Sequence, residues 1–273
     1  MMTTKPFRFG VVAAAQGGAA QWRETARRAE DLGYSILLSP DNLHLPTPTA
    51  ALAVAAAVTD TLRVGSFVLA GPLRTPRAAA WEAHSLSVVT DRRFELGIGT
   101  GIPATREAAA ELGLPYGTGA QRLAQVADTI THLRTLDGAE HTPVMLAAGG
   151  PRARRLGGQR ADIVTLADKP LTSRADFAAH AAEIRTAAGD REVELAMNVF
   201  VVGDEAPPWI RSFIGTDAAT LREHDSLAIL PGDPAAAADE LERRRAEYGI
   251  SYVSVNGAFL TEFAPIVARL SGR

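Results

Sequence analysis

The sequence predicts a (β/α)8 barrel, eight parallel strands closed into a ring with helices outside. Three observations point there. Short apolar runs alternate with helix-period segments along the whole chain, the pattern of a parallel sheet wrapped by helices. Eight strand-like runs can be placed, whereas an open doubly wound sheet, the competing fold, more often has roughly five to seven. The 273 residues match the roughly 250 that one such barrel needs, and no flexible linker or internal repeat divides residues 1–273, so one domain is expected.

The elements follow in order. Phe7 to Ala14 reads as the first strand. Ala20 to Leu32 reads as a helix with Trp22, Ala26 and Ala29 on one stripe and Gly33 as its stop. Ser35 to Leu38 is strand two, and Thr49 to Thr59 an alanine-rich helix behind Pro48. Leu62 to Leu69 is strand three, with a helix from Arg77 to Val89. Phe94 to Ile98 is strand four, and a longer excursion, Gly99 to Gly119, precedes the helix Ala120 to Leu136. Val144 to Ala148 and Ile163 to Leu166 are strands five and six, with helices beginning at Arg152 and running from Arg174 to Ala188. Val193 to Val202 is strand seven, Pro234 to Tyr248 a helix, Tyr252 to Val255 strand eight and Phe263 to Leu270 the closing helix. The stretch Gly203 to Leu230 is irregular and reads either as a cover over the barrel mouth or as a poorly patterned helix with flanking loops.

Composition narrows the function. A formal net charge of -3 offers no basic field for nucleic acid. Without cysteine there is no disulfide, thiolate zinc site or cysteine nucleophile. The six histidines show no H-x-x-x-H spacing, so no helix-borne metal site is expected. The segment Met1 to Phe9 lacks the apolar core of a signal peptide, and no run nears the roughly 20 apolar residues of a membrane span, so a cytoplasmic protein without membrane contact is expected.

In a barrel of this kind chemistry gathers on the loops that follow the strands. After strand two come Ser39, Pro40, Asp41, Asn42, Leu43 and His44, which could meet a cofactor edge but also make good turn chemistry, the reading the spacing favours. After strand four, Gly97-Ile98-Gly99-Thr100-Gly101 allows close backbone approach yet lacks the G-x-G-x-x-G dinucleotide spacing. After strand five, Ala148-Gly149-Gly150-Pro151-Arg152 opens a helix, and free N–H groups at a helix start suit an anion. Arg152, Arg154 and Arg155 add charge there, although Arg154 and Arg155 read as the solvated face of an arginine-rich helix. Gln16 could line a pocket, and Trp81 and His84 read as packing or surface residues.

Five stretches, in order, resemble the luciferase-like monooxygenase superfamily, above all its branch using coenzyme F420, a deazaflavin. They are Arg27 to Tyr34; Ser39 to His44; Thr61 to Gly65 leading to Pro72-Leu73-Arg74-Thr75-Pro76; Asp91 to Gly101; and Ala148 to Arg152. Gly232-Asp233-Pro234 and Tyr248-Gly249-Ile250 also fit. The resemblance implies the (β/α)8 fold with the deazaflavin at the C-terminal mouth. It implies that Asp41 contacts the ring, that Phe67-Val68 forms a cis-peptide bulge behind it, and that Thr100, Gly101, Gly149 and Gly150 lie near its side chain and phosphate; Pro151 and Arg152 join these cofactor candidates through the helix-start anion reading above. Two positions depart from sugar-phosphate dehydrogenase relatives: Asn42 stands where a catalytic histidine is frequent, and Ile102 where a glutamate acid often follows Thr-Gly. Sugar-phosphate oxidation is therefore disfavoured. The remaining candidates for the catalytic end are Asn42, which cannot act as an acid, and His44, with Tyr116 as an alternative donor.

The resemblance implies a reductase passing hydride from the reduced deazaflavin to an activated C=C, C=N or C=O bond of a small molecule or peptide natural product. The alternatives are an FMN-dependent monooxygenase and, from another class, a non-catalytic barrel that has lost the family acids. A homodimer is the assembly that the resemblance allows.

Overall fold

The computed structural model describes residues 5–273. The chain begins with β1 (Arg8–Val12), α1 (Ala19–Asp31), β2 (Ile36–Ser39) and α2 (Pro48–Ala57). Next come β3 (Arg63–Ser66), β4 (Leu69–Ala70), α3 (Pro76–Val89) and β5 (Phe94–Gly99). The middle holds α4 (Thr105–Glu111), α5 (Gly119–Asp137), β6 (Val144–Ala148), α6 (Pro151–Arg160), β7 (Ile163–Leu166) and α7 (Arg174–Ala188). The last third comprises β8 (Glu194–Val199), β9 (Val201–Val202), α8 (Pro208–Ile214), α9 (Ala218–Glu223), β10 (Ile229–Leu230), α10 (Pro234–Tyr248), β11 (Ile250–Asn256) and α11 (Ala264–Leu270).

The strand order is β3-β2-β1-β11-β8-β7-β6-β5-β4, and every pairing is parallel. Closure comes from β3 pairing with β5 at Val64 with Phe94 and Gly65 with Glu95. The open-sheet alternative is thereby excluded, and the eight-stranded barrel stands. Two of the expected strands are divided. The third is interrupted at Phe67-Val68, so β3 and β4 are its halves; the seventh is β8 followed by the short β9, which pairs with β10 in a separate two-stranded ladder.

Packing follows the period-2 alternation of each strand. Phe9, Leu37, Val64, Leu96, Leu146, Val164 and Val253 face outward into the main core beneath the helices. Ile36, Leu38, Met145, Ile163, Ala196 and Tyr252 form a second cluster inside the ring. Small residues make room for large ones there: a Cβ on Gly10 would sit 3.0 to 3.2 Å from Ile36, Leu38 and Tyr252.

Helix starts are mostly capped by the chain itself. Thr47, Thr75, Thr118, Ser173, Asp217 and Asp233 accept backbone N–H bonds at the starts of α2, α3, α5, α7, α9 and α10. Gly33, at φ +80°, takes the left-handed turn that ends α1, as expected. Trp22 packs in the core and donates its indole N–H to the Ala51 carbonyl at 2.8 Å. The excursion between β5 and α5 is not wholly irregular, because it holds α4. Gly203 to Leu230 resolves into two short helices beside the β9–β10 ladder rather than one helix.

Candidate functional site

Strand register decides which predicted residues meet. Ser39 pairs with Ser66, Ala70 with Gly99, Ile98 with Leu146, and Ala148 with Leu166. The loops from Asp41, Phe67-Val68, Thr100-Gly101 and Gly149-Gly150 therefore leave consecutive strand ends and form one arc of the mouth. β7, β8, β11 and β1 supply the opposite arc.

At the first loop, Asp41 is held fast. Its Oδ2 accepts from the Ala70 N–H at 2.9 Å and from Arg74 Nη1 at 2.6 Å, and its Oδ1 accepts from Arg74 Nη2 at 3.0 Å. Arg74 Nε also reaches Glu82 Oε2 at 3.2 Å. Burial works against the Arg74 charge, yet Asp41 and Glu82 outweigh it and raise its pKa. Both Asp41 oxygens thus brace the strand that follows the bulge. Asn42 makes a turn: its Oδ1 accepts the His44 backbone N–H at 2.9 Å, and both side chains are exposed. The turn reading of this loop holds in the geometry.

The Phe67-Val68 peptide is cis, at the pair the resemblance indicates, and both side chains are half-buried. Ser66 ties the bulge to the next strand, donating its hydroxyl to the Gly97 carbonyl at 2.8 Å and accepting the Gly97 N–H at 3.0 Å. A Cβ at Gly97 would lie 1.9 Å from the Ser66 carbonyl oxygen, so only glycine lets these backbones approach.

Beyond β5, Gly101 has φ +78° and turns the chain into α4. The Thr100 carbonyl is fixed by Arg122 Nε at 2.9 Å from the first turn of α5. Tyr116 lies between two guanidiniums, Arg106 at 4.5 Å and Arg122 at 4.1 Å from its ring centre, and donates its hydroxyl to the Ile102 carbonyl at 3.2 Å. Ile102 itself is 61% exposed.

The α6 start differs from the capped helices. Gly150 is its N-cap and supplies no side-chain bond; Pro151 follows, and Arg154 N–H is the first to find a carbonyl, that of Gly150. The Arg152 and Ala153 N–H groups are the orphans of this end. A Cβ on Gly150 would meet nothing within 4 Å, whereas one on Gly149 would press on the Ala167 carbonyl at 3.0 Å. Space for a ligand therefore lies over Gly150.

Arg154 corrects the solvated-face expectation. It is 5% exposed, bonds Glu183 at 2.6 Å and donates to the Gly149 carbonyl at 3.2 Å. Helix α7 packs closely on α6 and turns that arginine into a brace for the glycine loop. Arg155 and Arg152 are exposed. Nearby, His180 Nδ1 sits 2.9 and 3.0 Å from the Asp168 carboxylate oxygens and pins the loop that carries Ala167. His84 likewise pairs with Asp137, on the outer helices. Gln16 is exposed.

A pocket of about 370 Å³ lies elsewhere, between the β9–β10 ladder and α7 and α10. Its arginines are already paired: Arg174 with Asp225 and Glu240, Arg222 with Asp204, and Arg243 and Arg244 with Glu240. No predicted site residue lines it, and the mouth arc is the better candidate. Among the described residues, no group of three or more His, Cys, Asp or Glu is placed to hold a metal ion, and no helix is long and apolar enough to cross a membrane.

The family model for luciferase-like monooxygenase matches residues 2–245. The chain belongs to that family. Among curated relatives, a protein of Intrasporangium calvum named F420-dependent glucose-6-phosphate dehydrogenase is 27% identical over 180 residues, covering 55% of this chain and 54% of the relative. A protein of the same name from Nakamurella multipartita is 27% identical over 59% of this chain and 56% of its own. The chain thus spans about half the length of the curated relatives it matches. The coenzyme F420-dependent tetrahydromethanopterin reductase of Methanopyrus kandleri superposes with a TM-score of 0.73 at 17% identity, covering 96% of this chain and 97% of that one. A long-chain alkane monooxygenase gives a TM-score of 0.76 at 12% identity, covering 98% and 92%. Identities this low show the shared barrel and nothing about the reaction.

In this luciferase-like barrel, sequence reasoning missed the supports. Arg74 lies within the Pro72–Pro76 motif, but its grip on Asp41 needs the β2 and β4 ends to be neighbours. The roles of Ser66, Arg122 and Arg154 depend in the same way on elements distant in the chain.

Proposed function

We propose that this luciferase-like protein is a coenzyme F420-dependent oxidoreductase, working as a reductase. The observation that carries this is the uncapped α6 mouth at Gly149-Gly150-Pro151, beside the strand end Gly99-Thr100-Gly101. Orphan N–H groups, the helix dipole and open space over Gly150 suit the phosphate of such a cofactor. Thr100, Gly101 and Arg152 would flank the phosphate, and the Phe67-Val68 bulge would back the ring. Asp41 acts at the ring edge chiefly by holding Arg74 and the Ala70 N–H. The names of the sequence relatives support the deazaflavin.

When bound, the reduced cofactor supplies a hydride, and the acceptor bond takes up that hydride and one proton. The chain's own part is to hold, orient and exclude water. Asn42 cannot supply the proton, since an amide is no acid and its oxygen is engaged by the His44 N–H. The exposed His44 imidazole or solvent supplies it. The acceptor is a small molecule or peptide carrying an activated double bond.

The alkane-monooxygenase likeness and the family's monooxygenase name favour a second reading, an FMN-dependent enzyme on the same mouth. Titration with each oxidised cofactor decides between them. Tight binding of the deazaflavin with weak or no binding of FMN is expected, and tight binding of FMN alone would overturn the proposal.

A further inference from the structure

Most of the exposed large apolar side chains of this protein lie in two places. One is the outer face of α2 and α3, where nothing shows what covers it. The other is the mouth. All strands run parallel, so every loop leaving a strand end emerges at the same end of the barrel. Leu43 follows β2, Ile102 follows β5, Leu171 follows β7, and Trp209 and Phe213 follow β8; they are 38%, 61%, 42%, 54% and 69% exposed. Exposed aromatic rings cost free energy in water unless something covers them.

The β8 segment is the richest part of this rim. Trp209 and Phe213 are four residues apart on α8 and so share a face. Phe213 is tied to the barrel itself: its ring centre lies 6.1 Å from that of Phe200, the first residue past β8. By strand order, the segment that carries these rings leaves β8, on the arc opposite the one that carries Asp41, the bulge and Gly150.

We propose that Phe200, Trp209 and Phe213 form the acceptor wall of the site, and that the acceptor is an apolar, planar, conjugated or aromatic molecule rather than a sugar phosphate. This rests on the oxidoreductase reading above. Flat rings suit flat partners through offset stacking, while the apolar loops at Leu43, Ile102 and Leu171 would cover the rest of such a molecule. Balance is simple for an enone: the β-carbon gains the hydride with its electron pair, the α-carbon gains a proton, and the cofactor is oxidised by two electrons.

The test uses two enones that differ only in a phenyl or methyl group, benzylideneacetone and ethylideneacetone. Calorimetric titration of the full chain, with and without oxidised coenzyme F420, should show the phenyl ketone binding about tenfold tighter. Trp209→Ala/Phe213→Ala should abolish that preference while cofactor affinity and the melting temperature hold, since both side chains are exposed and lie off the arc assigned to the cofactor. Equal binding of the two ketones, or a preference retained in the double variant, would overturn the proposal. So would a change in sedimentation mass in the double variant with the preference intact, because the rings would then pack between copies. A phenyl preference without any cofactor binding would keep the wall and remove the cofactor assignment.

Discussion

The two ends of the barrel are built on opposite plans. At the N-terminal floor, charges are matched inside the protein. Glu95 Oε1 takes bonds of 2.7 Å from both Arg8 and Arg63, while Glu194 accepts from Arg8 Nε at 2.9 Å and from the Ser251 hydroxyl at 3.0 Å. The Arg8 guanidinium also lies 4.0 Å over the Tyr252 ring. Burial opposes the Arg8 charge, but Glu95, Tyr252 and Glu194 reverse that and raise its pKa. At the C-terminal mouth, glycines replace side chains and the first α6 N–H groups, those of Arg152 and Ala153, have no cap from the chain. The floor pairs its charges within the chain, although Glu95 Oε2 and the Tyr252 hydroxyl are buried there without a partner, whereas the mouth leaves helix-start N–H groups open toward solvent. The difference teaches where to look for stability and where for binding.

That contrast is easiest to break at the floor. Glu95→Ala leaves Arg8 and Arg63 without their shared carboxylate in a largely buried site. Removing one partner of such a network costs about 3 kcal/mol here, the lower part of the usual range, because Arg8 and Arg63 keep 22% and 31% of their side chains exposed. Thermal unfolding should fall by on the order of 10 °C. Cofactor affinity, measured where the variant remains folded, should not change. A loss of affinity equal to the loss of stability would mean that the two ends are one cooperative site.

At the mouth the expected signs are reversed. Gly150→Asp adds an N-cap side chain at a start that has none, so stability should hold or rise by a few tenths of a kcal/mol. The same carboxylate occupies the open space and repels a phosphate, so cofactor affinity should fall about tenfold or more. Gly149→Asp is the poorer probe, since its Cβ already presses on the Ala167 carbonyl. If Gly150→Asp bound the cofactor normally, the phosphate would have to lie elsewhere.

Arg154 sits between the two plans, a floor-like ion pair supporting a mouth loop. Arg154→Met removes the Glu183 bond and the hold on the Gly149 carbonyl. Glu183 is 48% exposed, so water takes over much of its charge and the stability cost should stay near about 1 kcal/mol. Cofactor affinity should drop a few-fold through a loosened glycine loop. A binding titration alongside a melting curve separates the two effects.

What the sequence revealed follows the same division. Strands such as Ile163–Leu166 and helices such as Arg174–Ala188 and Pro234–Tyr248 were legible to the residue, because apolar periodicity and flanking caps are local signals. The glycine loops and the Phe67-Val68 position were also visible, through local spelling and the resemblance it supports. The Asp41–Arg74 clamp and the burial of Arg154 were not. Arg154 looks solvated beside Arg152 and Arg155, and only the packing of α7 on α6 inverts that. The floor network was invisible for the same reason: Arg8, Arg63, Glu95 and Glu194 are single charges at strand starts, meeting only when the ring closes.

The smallest effect expected concerns pH at the floor end, where Asp162 precedes β7. Burial raises the pKa of Asp162, but the Val144 N–H, Arg134 and His141 together outweigh it and the net shift is downward. The contacts are 2.8 Å from Val144 N, 2.7 Å from Arg134 Nη2 and 3.0 Å from His141 Nε2. A carboxylate whose folded pKa lies below its unfolded value of roughly 3.9 adds stability above that pH and loses it as pH falls through the folded value. Asp162→Asn should therefore melt lower than the parent near neutral pH, by no more than a few degrees, and the two curves should converge on acidification. Gly150→Asp, at the other end, removes no carboxylate from this network, so its difference from the parent should not follow that convergence. Melting curves of all three proteins between about pH 7 and pH 3 test this, and a gap for Asp162→Asn that stays constant with pH would show that the floor's charges act through packing rather than through protonation.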